Sequence, residues 1–294
     1  MIIALALSPS LDVTYEVDEL RRGDISRPTR VTHVAGGKAL NVARVATALG
    51  ADALAIAALG GRSGAWVSDL LTADGVASCV VPIRRNTRTC IAIVEGRGAP
   101  SSTDVYEPAS ALDPAEWVAF ADAALEASSA SGSPTRLVLS GSLPQGAPAG
   151  EVADLLDRCR RAGAWLAVDG SGEGLRATAA HADLLKVNRS EANEFLRADH
   201  DAEGAAVEIR TRLGADVVVT DGIRGGFAII GDDPVALDPP VRRGRFSAGS
   251  GDAFLGGLLA ALERGAGGTA ALGAASDAAE RNALCPGQGV LAAK

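Results

Sequence analysis

Short apolar runs alternate with amphipathic helical patterns along most of this chain of 294 residues. The first run that predicts a strand covers residues 2–7 and the last covers residues 227–230, and predicted helices separate most of the runs. Strands separated by helices predict a largely parallel sheet with helices on both faces. Because aromatic residues make up only 3% of the chain, we expect a core of Ala, Leu and Val. Length and pattern together predict one α/β domain over residues 1–294.

Two segments, residues 11–33 and 86–106, depart from this alternation. Both contain stretches in which polar and apolar residues alternate, such as Val13-Thr14-Tyr15-Glu16-Val17, and this pattern is typical of strands with one exposed face. A sheet of this size buries little surface alone, so we expect it to stand off the main domain as a lid over the site. Its exposed edges predict pairing with a second copy, which would give a homodimer.

Composition and charge exclude several kinds of partner. The net charge of −8 would repel nucleic acid and anionic membranes, so neither is expected to bind. The N-terminal apolar run meets Pro9 and Asp12 too early for a signal peptide or a membrane-spanning helix. The four cysteines lack the spacing of a metal site, as in proteins whose thiols stay reduced. The sequence therefore predicts a cytoplasmic protein.

A turn of small residues near the C-terminus leads directly into an apolar helix that carries Asp252 in its first turn. Gly249 and Gly251 allow the backbone to approach a ligand closely, and the free N–H groups at a helix start bind anions. A carboxylate beside these groups is expected to stay ionised easily and to accept a proton from a hydroxyl. The same residues also suit an ordinary core helix that begins with glycines.

A second glycine-containing motif, Gly36-Gly37-Lys38-Ala39-Leu40-Asn41, precedes the first predicted helix. The backbone at Gly37 and the amide of Asn41 can bind sugar hydroxyls, while Lys38 can hold a phosphate. A helix start with a solvated lysine is the alternative interpretation.

Two further charged residues lie at the borders of the predicted lid. Asp12 follows the first strand, where a carboxylate can accept hydrogen bonds from sugar hydroxyls or cap a turn. Arg88 stands in the run Asn86-Thr87-Arg88-Thr89, where its guanidinium can bind a substrate anion when the lid closes or can simply be solvated.

Four motifs occur in a fixed order along the chain. They are Gly36-Gly37-Lys38-Ala39-Leu40-Asn41, Ser140-Gly141-Ser142-Leu143-Pro144, Lys186-Val187-Asn188-Arg189-Ser190-Glu191 and Gly249-Ser250-Gly251-Asp252. In this combination the chain resembles the ribokinase-like (PfkB) carbohydrate kinases from Ile3 to about Gly289. It is most similar to the branch that contains 1-phosphofructokinase and tagatose-6-phosphate kinase, and the branch-specific runs are Leu7-Ser8-Pro9-Ser10-Leu11-Asp12, Thr87-Arg88-Thr89 and Ser140-Gly141-Ser142-Leu143-Pro144. The resemblance implies a ribokinase-like three-layer α/β sandwich with a small β-sheet lid.

The resemblance also implies a role for each matching residue. Asp252 is implied to be the catalytic base, and the amides of Gly249, Ser250 and Gly251 an anion hole for the transferred phosphoryl group. The residues implied to hold the sugar phosphate are Asp12, Gly37, Lys38, Asn41, Arg88 and Ser140. The residues implied to contact the nucleotide are Lys186, Asn188, Thr220, Gly222, Gly225 and Asn282. The residues implied to organise Mg²⁺, through waters, are Asn188 and Glu191.

The resemblance implies ATP-dependent phosphorylation of a phosphorylated ketohexose with Mg²⁺, and conversion of fructose 1-phosphate to fructose 1,6-bisphosphate is the first choice. Tagatose 6-phosphate and fructose 6-phosphate are the alternatives, because Lys38 and Arg88 indicate a phosphate without showing which carbon bears it. Ala39 replaces the family's usual Gly beside the sugar, which leaves the exact substrate open. Ser250 replaces the usual Ala and adds a hydroxyl inside the anion hole, either as a further donor or without effect. A non-catalytic sensor of sugar phosphate or nucleotide is an alternative of another class, whereas an oxidoreductase is disfavoured because no Gly-x-Gly-x-x-Gly follows the first strand.

Overall fold

The computed structural model describes residues 1–96, 102–130 and 135–293. The strands in these ranges are β1 (Ile2–Ala6), β2 (Ser10–Val17), β3 (Arg30–Gly36), β4 (Ala53–Leu59), β5 (Ala77–Pro82), β6 (Arg88–Glu95), β7 (Ser102–Tyr106), β8 (Arg136–Ser140), β9 (Trp165–Asp169), β10 (Leu184–Asn188), β11 (Asp216–Thr220), β12 (Gly226–Ile230) and β13 (Asp233–Leu237). The α-helices there are α1 (Lys38–Ala48), α2 (Gly61–Ala73), α3 (Pro114–Ala130), α4 (Ala149–Arg161), α5 (Gly172–Thr178), α6 (Arg189–Leu196), α7 (Ala202–Leu213), α8 (Ser250–Glu263) and α9 (Gly268–Ala283).

The large sheet has the strand order β13-β12-β11-β10-β9-β8-β1-β4-β5. The strands from β11 to β5 are parallel, and β12 and β13 add an antiparallel edge. Strands β4 and β5 are added in sequence on one side of β1. Strands β8 to β13 are added in sequence on the other side of β1. The order therefore reverses between β1 and β8, and in such sheets ligands bind at the carboxyl ends of the strands beside this point.

Helices cover both faces of the large sheet, as the alternating pattern predicts. One face packs against an apolar cluster that includes Phe120 of α3 and Ile209 of α7. The opposite face packs against α1, α8 and α9, with Leu258 and Leu259 fully buried between them. The predicted three-layer α/β architecture is confirmed.

The second sheet has the order β3-β2-β6-β7 and stands apart from the large sheet. Strands β2 and β6 pair in parallel at the centre. At the two edges, β3 pairs antiparallel with β2, and β7 pairs antiparallel with β6. Leu11 and Val13 of β2 pack against α1 and α2 in a third apolar cluster, which anchors the small sheet to the main body. Its strands lie largely within the segments expected to form the lid, residues 11–33 and 86–106, but β2 begins at Ser10 and β3 continues to Gly36. Residues 97–101 of the second segment lie outside the described ranges.

Three elements differ from the sequence-based expectation. Strands β5 and β13 were not predicted, because both are edge strands with mostly exposed residues and therefore lack a buried apolar pattern. The Ser, Pro and Gly content of residues 128–135 predicts a loop within the domain, but this prediction is wrong at its start, because α3 continues to Ala130 and Ser128 is buried within it. Residues 131–134 lie outside the described ranges. Within those ranges, no helix has both the length and the apolar character needed to cross a membrane.

Candidate active site

A cleft of about 1160 Å³ runs along the carboxyl ends of the parallel strands, beneath the small sheet and past the start of α8. The predicted site residues that line it are Asp12, Gly37, Lys38, Arg88, Lys186, Asn188, Glu191, Thr220, Gly222, Gly225, Gly249, Ser250, Gly251 and Asp252. The chain thus brings residues from seven separate elements, and from the turns beside them, to one site. The predicted residues outside this lining are Asn41, Ser140 and Asn282.

The turn before α8 has the close approach that its glycines predict. Gly249 adopts a left-handed conformation with φ of 82°, and a Cβ added there would lie 2.8 Å from the backbone nitrogen of Gly289. A residue with a side chain would therefore meet both backbone strain and a collision. The turn delivers Asp252 to the first turn of α8, where its side chain is 5% exposed at the edge of the cleft.

The ionisation of Asp252 differs from the sequence-based expectation. Burial raises the pKa of its carboxyl to about 6; Lys38 and Lys186 oppose the rise and Asp169 adds to it. The expectation that a helix start keeps this group easily ionised is corrected in part, because burial has the largest effect on its pKa and acts in the opposite direction. Near neutral pH the group is still mostly ionised, and a carboxylate with this pKa is a stronger proton acceptor than an exposed one.

A buried ion cluster lies at the ends of β8, β9 and β10. Asp169 is fully buried. Its Oδ1 lies 3.5 Å from the Nζ of Lys38, and its Oδ2 lies 3.6 Å from the Nζ of Lys186. The hydroxyl of Ser140 donates to it at 3.0 Å. Burial alone would raise the pKa of Asp169, but the two ammonium groups and this hydroxyl together hold it below its usual range.

The cluster directs both lysines toward the start of α8. A Cβ added at Gly251 would lie 2.9 Å from the Nζ of Lys186, so this ammonium group lies against the predicted anion hole. Lys38 also pairs with Glu191 at 3.6 Å, and Asp169 raises the pKa of Lys38, which keeps it cationic. Asp169 belongs to none of the four motifs, and its position at the carboxyl end of a central strand is the one sequence signal that could have indicated its role.

The opposite end of the cleft, under the small sheet, contains Asp12 and Arg88. Asp12 accepts a hydrogen bond of 2.5 Å from the hydroxyl of Ser10, and its burial raises the pKa of the carboxyl to about 6. The guanidinium of Arg88 donates to the backbone oxygens of Ser8 and Glu107 at 3.1 and 3.2 Å. These bonds hold an acceptor and a cation side by side at the place predicted for the sugar phosphate.

Gly36 is required for this arrangement, because a Cβ added there would lie 1.9 Å from the Cγ of Asp12. We expect Gly36→Ala to displace the Asp12 carboxylate and to raise KM for the sugar substrate by about tenfold or more, through loss of hydrogen bonds to a charged acceptor. Steady-state kinetics would measure this. Gly150→Ala is the matched control, since nothing lies within 4 Å of a Cβ at that position. Equal KM values for both variants would contradict the role of Asp12.

Asn188 and Glu191, predicted to organise Mg²⁺, face each other at the start of α6. The backbone N–H of each donates to the side chain of the other, at 2.8 and 2.9 Å, in a capping box. The described ranges contain no cluster of three His, Cys, Asp or Glu side chains able to enclose a metal ion. The residues present fit Mg²⁺ held through waters and ligand phosphates rather than by a protein cage.

The turns that follow β10 and β11 line the end of the cleft that lies farthest from the small sheet. Thr220 ends β11, and its hydroxyl lies 3.5 Å from the backbone oxygen of Val187. Gly222 and Gly225 have φ of 58° and 85°, and a Cβ at Gly225 would lie 1.9 Å from the backbone oxygen of Leu237. The tight turn that results leaves the backbone exposed along this side of the cleft.

The structure places Asn41 and Asn282 differently from their predicted contacts with ligands. Both are fully buried, and Asn41 donates to the Oδ2 of Asp252 at 2.8 Å instead of facing the cleft. Asn282 lies beneath the turn before α8, and its amide donates to the backbone oxygen of Ala248 at 2.9 Å while accepting from Gly289 at 2.7 Å. The two amides therefore hold Asp252 and the turn before α8 in place, which the sequence could not show because burial depends on the folded packing.

Comparison with known proteins gives consistent matches over nearly the whole chain. The family described as pfkB family carbohydrate kinase matches residues 4–292. A 1-phosphofructokinase of Haloferax volcanii is 35% identical over 274 residues, covering 90% of this chain and 85% of that protein. The tetrameric inhibited form of phosphofructokinase-2 from Escherichia coli is similar with a TM-score of 0.87 and 27% identity, over 96% of this chain and 93% of that one. The same enzyme in complex with fructose-6-phosphate has a TM-score of 0.87 and 27% identity, over 97% and 94%. These matches confirm the resemblance that the four motifs indicated.

Proposed function

This chain belongs to the pfkB family of carbohydrate kinases, and we propose that it uses ATP to phosphorylate fructose 1-phosphate at the 6-hydroxyl, giving fructose 1,6-bisphosphate. The observation that carries the proposal is the buried carboxylate of Asp252, which lies at the cleft beside a glycine turn and the ammonium group of Lys186. A proton acceptor beside an anion site suits phosphoryl transfer. The 1-phosphofructokinase relative at 35% identity supports the choice of substrate.

In the proposed mechanism, the 6-hydroxyl of the sugar loses its proton to Asp252 as its oxygen attacks the γ-phosphorus of ATP. The bond from that phosphorus to the bridging oxygen breaks, and ADP leaves. The backbone N–H groups of Gly249 to Gly251 and the cation of Lys186 stabilise the negative charge on the transferred group. Closure of the small sheet over the cleft excludes water, which limits hydrolysis of ATP.

The substrate's own phosphate is proposed to bind under the small sheet. Arg88 and Lys38 both line this part of the cleft, and Asp12 is positioned to accept hydrogen bonds from sugar hydroxyls. Ser140 acts indirectly, because its hydroxyl is bonded to Asp169 and thereby supports Lys38. Lys38 already pairs with Asp169 and Glu191. Arg88 donates only to backbone oxygens among the described residues, so a phosphate on the substrate would supply its charged partner.

The nucleotide is proposed to lie along the turns after β10 and β11, with Thr220, Gly222 and Gly225 beside it. Asn188 and Glu191 would hold Mg²⁺ through waters, and when bound the ion would neutralise charge on the phosphates. Glu191 is already paired with Lys38 at 3.6 Å, so this side chain connects the nucleotide end of the cleft with the sugar end.

A coupled assay of ADP release with Mg·ATP tests the proposal directly. The panel contains fructose 1-phosphate, fructose 6-phosphate, tagatose 6-phosphate, free fructose and free ribose, and we expect the highest kcat/KM with fructose 1-phosphate. Fructose 6-phosphate is the second candidate, because the structural neighbours at 27% identity are named phosphofructokinase-2. Activity only with free sugars would contradict the assignment of Lys38 and Arg88. Binding without turnover would favour a sensor.

We also propose a homodimer formed through the small sheet, in the cytoplasm. The edge strand β7 is exposed along its whole length, and its Val105 is 57% exposed, so the edge is open to pairing with a second copy. The four cysteines are free thiols, as in a reducing compartment. Light scattering at working concentration is expected to give the mass of two chains, and the mass of one chain would contradict the dimer.

A further inference from the structure

Arg44 of α1 is a buried cation to which the proposed mechanism gives no role. Its side chain is 5% exposed, which is rare for arginine unless all its N–H groups have partners. Its Nε donates to Asp74 at 2.7 Å, and its Nη1 donates to the Oδ1 of Asn41 at 3.2 Å and to the backbone oxygen of Gln288 at 2.9 Å. Its Nη2 donates to the backbone oxygen of Ala35. The guanidinium is therefore held on every side.

These contacts determine which way the amide of Asn41 points. Arginine can only donate hydrogen bonds, so the side of Asn41 that faces Arg44 must be its carbonyl oxygen. The NH₂ group then faces Asp252 and donates to its Oδ2 at 2.8 Å. If the amide of Asn41 were flipped, its NH₂ group would face an N–H donor of Arg44, and its carbonyl oxygen would face the acceptor oxygen of Asp252. Both contacts would be repulsive.

We propose that Arg44 is a positioning residue for the transfer reaction: by holding the amide of Asn41 in one orientation, it fixes the carboxylate of Asp252 toward the acceptor hydroxyl. This inference rests on the proposed function. One oxygen of Asp252 is held by Asn41, and the other is left for the incoming proton. Asp74, at the end of α2, anchors the far side of the guanidinium and completes a chain of contacts from the surface to the catalytic base.

The consequence is a change in the proton affinity of Asp252. The charged groups that act on this carboxyl are Lys38 from α1, Asp169 from β9 and Lys186 from β10, and burial is the main cause of its raised pKa of about 6. The hydrogen bond from Asn41 stabilises the ionised form and opposes that rise. Losing this bond should therefore raise the pKa of Asp252 further. As the pH is lowered, kcat of such a variant would begin to fall at a higher pH than kcat of the wild type.

Arg44→Lys is the test variant, because it keeps the positive charge but loses the planar fork that spans four partners. Keeping the charge matters because burial raises the pKa of Asp12 and the Arg44 charge opposes that rise. A variant without the charge would perturb sugar binding as well. The matched control is Arg264→Lys, since Arg264 is an exposed arginine that donates only to the backbone oxygen of Leu49 among the described residues.

The measurement is kcat against pH from 5 to 9, together with the unfolding temperature. For Arg44→Lys we expect the acid limb of kcat to move up by about 1 pH unit, together with a lower kcat at pH 9, because a misdirected carboxylate accepts the proton less well even when it is ionised. We expect no shift for Arg264→Lys. A folded Arg44→Lys protein whose acid limb matches the wild type, or whose kcat falls equally at every pH, would overturn the proposal.

Two further variants keep the test decisive. Asn41→Leu removes the donor itself, so it should shift the limb in the same direction, and Arg44→Lys should add nothing in the double variant. If Arg44→Lys does not fold, Asp74→Asn carries the test. A smaller shift of the acid limb is expected in the same direction, and an unchanged limb would count against the proposal.

The outcomes separate this inference from the proposed function. Wild-type protein without turnover on any sugar would overturn the proposed function, whereas active wild type with unshifted variants would overturn this inference alone.

Discussion

Asp252→Asn is expected to lower kcat by about 10³-fold, within the range measured for loss of a general base. Asn has nearly the same shape and can still pack at the start of α8, but it cannot take the proton from the attacking hydroxyl. The side chain is buried and bonded to Asn41, so the change should leave KM for both substrates within a few-fold. Steady-state kinetics with the preferred sugar phosphate, and calorimetric binding of that sugar, measure the two effects separately.

The pH dependence of the wild type provides a second readout of the same group. Because burial raises the pKa of Asp252 to about 6, its carboxyl gains a proton as the pH falls through 6, and kcat should fall with it. Asp12 also has a pKa of about 6, but its protonation should weaken sugar binding and appear in kcat/KM. The acid limb should be absent from the residual activity of Asp252→Asn.

Asp232→Asn is the control for both measurements, since Asp232 is a fully exposed carboxylate in the turn between β12 and β13, and its only ion pair among the described residues is with Arg210 at 4.0 Å. It should leave kcat and the pH profile unchanged. If Asp252→Asn retained kcat within about threefold of the wild type, a role as general base would be ruled out.

The sequence predicted the architecture because buried parallel strands and amphipathic helices have strong periodic patterns. Strands β8 to β11 are almost wholly buried and read as continuous apolar runs. Strand β13 contains Pro234 and is mostly exposed, so its pairing with β12 comes from tertiary context and not from its own pattern. The sequence could not predict strands such as β13, whose conformation depends on pairing with a neighbouring strand.

The same limit applies to the site. Glycine turns and charged residues at strand ends predicted where the cleft would lie, since these features have a local chemical meaning. The roles of Asn41 and Asn282 depend on burial, and an amide that lines a cleft and an amide that braces a loop look the same in a sequence. Asp169 lies in none of the four motifs, and the two lysines that pair with it come from helix α1 and strand β10, which are distant from each other in the chain.

Asp169→Asn is expected to lower the free energy of unfolding by about 3–5 kcal/mol, the usual effect of removing one partner from a buried ion pair. The carboxylate is fully buried, and Lys186 beside it is only 3% exposed, so the variant leaves an ammonium group in the interior without its nearest counter-charge. Urea denaturation measures the loss. Asp157→Asn, which breaks the more exposed pair with His181, is the control and should change stability by less than about 1 kcal/mol.

A bound nucleotide should reduce this loss, and that dependence tests where Lys186 points. If Lys186 faces the nucleotide phosphates, as its position beside Gly251 indicates, the polyphosphate supplies negative charge that Asp169→Asn removed. Mg·ADP should then bind Asp169→Asn more tightly than the wild type, in which Asp169 already balances this cation. The difference in unfolding temperature between the two proteins should narrow at the same saturating concentration of Mg·ADP, because stabilisation by a ligand grows with its affinity for the folded state. An unchanged difference would mean that Lys186 serves only to balance Asp169, and the nucleotide anion site would have to be assigned to the backbone of residues 248–251 alone.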